Sequence, residues 1–66
     1  MEIVVNGEKR YTADGQNIAG LLDELRFGEK RVAVELNFEI VPRDRYAERR
    51  LHDGDRLEIV QAIGGG

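Results

Sequence analysis

The sequence predicts a single α+β domain: one mixed sheet of four to five strands with one helix packed across one face. Three observations carry this. Apolar and polar residues alternate near both ends and in the middle of the chain, the two-residue period of half-buried strands. Between the first two of these stretches, Ile18, Leu21, Leu22 and Leu25 fall at i, i+3, i+4 and i+7, one face of a helix. The whole chain has only 66 residues, 41% of them apolar, which suits one small core and leaves no room for a second domain or a deep cleft. Strands, one amphipathic helix and more strands in this length define the α+β class.

Residues 2–6 (Glu2-Ile3-Val4-Val5-Asn6) read as the first strand. Asn6-Gly7 is a two-residue hairpin signal, because both residue types tolerate positive φ, and the return strand runs from Glu8 to Tyr11 or Thr12. Asp14-Gly15 marks a turn. The helix is expected near residues 17–27, capped by Asn17 or Asp14, with Asp23 and Glu24 off its apolar stripe and Gly28 ending it as a C′ glycine. Val32, Val34 and Leu36 alternate with Ala33, Glu35 and Asn37 as a third strand. Glu39-Ile40-Val41 is a short fourth, stopped by Pro42, which cannot donate to a ladder. Residues 43–50 mix Arg43, Arg45, Arg49 and Arg50 with Asp44 and Glu48 and read as a solvated connection with a short helical turn. Asp53-Gly54-Asp55 is another turn. In the last strand Leu57 and Ile59 point one way, Val60 and Ala62 the other. The first and last strands form the natural central pair, joined by a right-handed crossover through the helix.

Composition removes several functions. With no cysteine, the chain has no disulfide framework, thiolate metal site or persulfide on its own side chains. A net charge of −3 disfavours wholesale nucleic-acid binding. No signal peptide and no apolar run of membrane-spanning length is visible, so a soluble cytoplasmic protein without a membrane contact is the expectation. Asp53 and Asp55 flank Gly54, but a calcium loop needs more oxygen ligands at fixed spacing, and turn chemistry accounts for them. His52 is the only histidine and has no companion at metal or catalytic spacing. No glycine-rich phosphate motif precedes a helix, so the chain binds no nucleotide by itself.

The chain closes on Gly64-Gly65-Gly66, directly after the alternating stretch 57–63. Three residues without side chains add nothing to a core; as a flexible tail after a 1–63 domain they suit a narrow slot that a Cβ would block. A fold with one helix also leaves one sheet face uncovered. Phe38, Val60, Ala62 and Ile63 are the expected partner-binding residues at that face and its exit, helped by Arg43.

Taken together, several segments match one pattern: Asn6-Gly7-Glu8, Leu21-Leu22-Asp23-Glu24-Leu25, Val32-Ala33-Val34-Glu35-Leu36-Asn37, Ile40-Val41-Pro42-Arg43, and Leu51-His52-Asp53-Gly54-Asp55 with Leu57-Glu58-Ile59-Val60 and the terminal glycines. Over essentially its whole length the chain resembles the sulfur-carrier proteins of thiamine biosynthesis (the ThiS family), which have the ubiquitin-like β-grasp fold. Family members end in Gly-Gly; here the preceding position is also glycine, Gly64. The resemblance implies a carrier rather than an enzyme. A ThiF-like adenylyltransferase of the ubiquitin-activating type, using ATP and magnesium, would adenylate the Gly66 carboxylate. Sulfur from a persulfide donor would displace AMP, and the resulting thiocarboxylate would serve a ThiG-like thiazole synthase. Gly64 and Gly65 would form the threading tail, about 10–14 Å long when three or four residues are extended. Three other readings share the same residues: the small subunit of molybdopterin synthase, a ubiquitin-like tag joined to lysines, and an interaction domain without terminal chemistry.

Overall fold

The predicted hairpin and the helix after it are present in the computed structural model, which describes residues 1–28 and 30–61; the third and fourth strands form a second hairpin that the sequence pattern does not single out. Strands β1 (Glu2–Val5) and β2 (Glu8–Tyr11) lead to helix α1 (Ile18–Glu24). Strands β3 (Val32–Leu36) and β4 (Glu39–Val41) follow, then a 3-10 turn at Arg43–Arg45 and strand β5 (Arg56–Gln61). All five strands join one sheet in the order β2-β1-β5-β3-β4. β1 and β5 run parallel, with Val4 opposite Arg56 and Val5 opposite Leu57, and the other pairings are antiparallel. The first and last strands are therefore neighbours inside the sheet, as the sequence predicts.

Alternation decides which side chains are buried. Ile3 and Val5 of β1, Val34 and Leu36 of β3, Val41 of β4, and Leu57 and Ile59 of β5 turn to one face, where Ile18, Leu21 and Leu22 of α1 cover them. Tyr46 and Leu51 complete this core from the 42–55 connection. Tyr46 corrects the expectation that residues 43–50 are wholly solvated: its ring is buried and its hydroxyl donates to the Val32 carbonyl at 3.2 Å. The connection also closes the start of the helix. Asn17 is the cap, accepting from the Gly20 amide at 2.7 Å, while the Ile18 and Ala19 amides donate to the Arg49 and Tyr46 carbonyls.

The helix ends earlier than predicted, at Glu24, and Gly28 is not its terminator. Arg26 takes the left-handed position, at φ +66. The Arg26 amide donates to the Asp23 carbonyl and the Phe27 amide to the Leu22 carbonyl, the paired bonds of a Schellman motif. Phe27, half-buried, packs against the core. That apolar contact rewards stopping at Arg26 and overrides the preference for glycine two residues on.

Candidate functional site: the open sheet face

The helix covers one face of the sheet, and the side chains of opposite parity form the other. On β3 and β5 these are Ala33, Glu35, Glu58 and Val60, all exposed, and β4 adds Ile40. Register places Ala33 directly opposite Val60, and Glu35 between Glu58 and Ile40. Large apolar groups stand in solvent here: Ile40 is 77% exposed and Val60 63%. Phe38, at the tip of the β3–β4 hairpin bordering this face, is 77% exposed. The apolar residues flank the Glu35–Glu58 pair, a mixed apolar and acidic surface.

The expected partner-binding residues are thus partly brought together. Val60 and Phe38 are exposed as anticipated, and Ile40 belongs with them. Its signal was available in the sequence: it alternates with Val41, which the core claims. Arg43 opens the 3-10 turn just after β4, and its charge acts on the phenol of Tyr46. Ala62, Ile63 and the tail residues Gly64, Gly65 and Gly66 lie outside the described residues.

The other candidates resolve into structure. Asp53 accepts the Glu2 amide at 2.7 Å, and Asp55 accepts both the His52 amide at 2.7 Å and the Asn37 side-chain amide at 3.0 Å. Their carboxylates hold the turn onto β1 and the β3–β4 hairpin. His52 is exposed beside Asp55. Among the described residues no group of His, Cys, Asp and Glu is arranged to hold a metal ion, and no helix is long and apolar enough to cross a membrane. What the described residues offer is an exposed, partly apolar sheet face whose central strand, β5, runs to Gln61, five residues before the end of the sequence.

A five-stranded mixed sheet with parallel first and last strands, crossed by one helix and followed by a glycine tail, defines a ubiquitin-like β-grasp protein of the carrier type. Comparison with known proteins makes the assignment narrower. The model of the ThiS family matches residues 3–66, and the chain belongs to that family. It is 35% identical to the sulfur carrier protein ThiS of Escherichia coli over the full length of both chains. A crystal structure of the thiamine biosynthesis protein ThiS from Geobacter metallireducens superposes with a TM-score of 0.86 at 33% identity, covering all of both chains. The thiazole synthase of Paramagnetospirillum magneticum contains a segment 48% identical to all 66 residues, which is 20% of that protein's length.

Proposed function

We propose that this chain is the sulfur carrier of thiazole formation in thiamine biosynthesis, working through the carboxylate of Gly66. The observation that carries this reading is the end-to-end match to a sulfur carrier protein ThiS. The presence of a closely similar segment within thiazole synthases supports delivery to that enzyme. The relatives named as ThiS or thiazole synthase, and a solved thiamine biosynthesis protein, favour that pathway over the molybdopterin alternative.

The chemistry follows from the terminal group. A free α-carboxyl has a pKa of about 3.5, so at neutral pH it is an anion and a poor electrophile. An adenylating enzyme of the ubiquitin-activating type uses ATP and magnesium to join the carboxylate oxygen to the α-phosphorus, releasing pyrophosphate. The terminal sulfur of a persulfide then attacks the acyl carbon and expels AMP. A thiol cleaves the resulting S–S bond, leaving the thiocarboxylate on Gly66 and a disulfide on the donor side. On this reading the acid–base and metal chemistry of these steps comes from the partner enzymes. Gly64 and Gly65 let the backbone pass where a side chain would be stopped. The exposed apolar residues Phe38, Ile40 and Val60 dock the globule, with Ala62 and Ile63 continuing toward the tail.

The test is intact mass after incubation with the adenylating enzyme, magnesium ATP and a persulfide donor. The expected product carries one sulfur in place of one oxygen at its C-terminus. Deleting Gly66 is expected to abolish this product while leaving the melting temperature unchanged. A variant lacking Gly66 that still gains sulfur at the wild-type rate overturns the assignment, and adducts on lysine side chains point to a protein modifier instead.

A further inference from the structure

Two features of the open face are unfavourable to the isolated protein, and they are neighbours. The first is backbone conformation. The two hairpins share one turn geometry: Asn6 and Gly7 have φ of +50 and +83, and Asn37 and Phe38 have φ of +50 and +70. A type I′ turn needs positive φ at both central positions, and the first hairpin meets the second position with glycine. The second hairpin meets it with phenylalanine, a bulky residue for which this region is a true outlier. The ring gains nothing from the core, since it is 77% exposed.

The second feature is charge. Glu35 and Glu58 are direct cross-strand partners on the exposed face. Like charges placed opposite one another destabilise a sheet. Among the described residues no cation lies within ion-pair distance of either carboxylate; the ion pairs present involve Asp14, Glu2, Glu48 and Asp55. Arg56, two residues before Glu58 on the same face, is not ion-paired to it. Val60 and Ala33 bound the acidic pair on one side, and Ile40 continues its row across β4.

Backbone strain of this kind clusters at binding and switch sites, and an unpaired cross-strand pair of like charges is relieved by a cation brought from outside. We infer that this face docks on a protein surface offering an apolar pocket to Phe38 and a cationic side chain, arginine or lysine, to the Glu35–Glu58 pair. The inference rests on the sulfur-carrier reading and specifies the surface of the adenylating enzyme. Charge complementarity selects this occupant. A second copy packed about a two-fold axis through the pair would bring four carboxylates together, and anionic lipid would repel the pair.

The test measures binding of the wild type, Phe38→Gly, Glu35→Gln and Glu58→Gln to the adenylating enzyme at two salt concentrations, with melting curves for each. Phe38→Gly is expected to bind at least about tenfold more weakly while keeping or raising its Tm. The glutamine variants are expected to lose about tenfold in affinity at low salt, the low end of close charge-pair coupling, and much less at high salt, where screening has already weakened the pair. Wild-type affinity in the Phe38 variant or in both glutamine variants overturns the inference, as does a marked fall in the Tm of Phe38→Gly, which would make the ring structural. So does wild-type self-association abolished by Phe38→Gly. Wild-type thiocarboxylate formation is read in parallel. Its absence counts against the sulfur-carrier reading; its presence with unaffected variants counts against the docking chemistry alone.

Discussion

Two asparagines and a tyrosine hold the sheet together in ways that single residue types conceal. Asn6 pairs its side-chain amide with both main-chain groups of Ile59, donating to the carbonyl at 3.0 Å and accepting from the amide at 2.7 Å. Asn37 accepts from the Arg56 amide at 2.9 Å and donates to Asp55. Each asparagine turns its hairpin and also fastens that hairpin to β5. The first turn was legible from Asn-Gly; the second was not, since Asn37 reads as the continuation of β3 and phenylalanine is no turn residue. The fastening was not legible either, because it joins Asn6 to a residue 53 positions away. Tyr46 was hidden for a related reason: it sits among arginines, and only the path of the 42–55 connection turns it inward. Burial raises its phenol above the ordinary value of 10.0, offset in part by Arg43. A raised folded pKa means stability fully present below about pH 10 and lost as pH rises through the folded pKa. Urea unfolding of Tyr46→Phe is expected to show two effects. At neutral pH it costs about 0.5–1.5 kcal/mol for the lost bond to Val32. Above pH 10 the gap to wild type narrows, because the variant has no phenol to ionise. A gap that stays constant through alkaline pH would contradict the assignment.

At the scale of elements, pattern gives existence and contacts decide boundaries. The stripe Ile18, Leu21, Leu22 and Leu25 located α1, and the three most buried of these face the sheet. The stop was misplaced because Gly28 is the conventional signal, whereas Phe27 finds its apolar contact only if the chain reverses at Arg26. Arg26 accepts a conformation that costs an L-residue about 1–2 kcal/mol. Arg26→Gly keeps the two closing hydrogen bonds and removes that strain. It is expected to stabilise the protein by about 0.5–1 kcal/mol after allowing for the greater chain entropy of glycine in the unfolded state. Chemical unfolding checks it; a loss of stability would show that the arginine side chain itself secures the helix end. The capping asparagine was legible, since Asn17 lies one residue before the apolar stripe.

For the whole molecule, β5 is both the structural centre and the strand that leads toward the glycines at the end of the sequence. It lies between β1 and β3, with Leu57 and Ile59 in the core and Glu58 and Val60 in solvent. One strand therefore separates folding from docking by alternate residues, and the two functions are expected to come apart under mutation. A chain of this length has a total stability of about 3–10 kcal/mol. Leu57 is fully buried, so Leu57→Ala is expected to cost about 2–5 kcal/mol, a large share of that total, and Leu22→Ala belongs to the same range. Val60→Asp is expected to cost less than about 1 kcal/mol, since it removes no core contact and acts mainly through strand preference. The same variant adds a third carboxylate beside Glu35 and Glu58 and removes an apolar contact, so it is expected to weaken binding to the adenylating enzyme. Calorimetry and binding on the two variants decide the matter together. If Val60→Asp unfolds the protein as readily as Leu57→Ala, the two faces of β5 are not separable. If it binds the enzyme as tightly as the wild type, the docking surface lies on another part of the molecule.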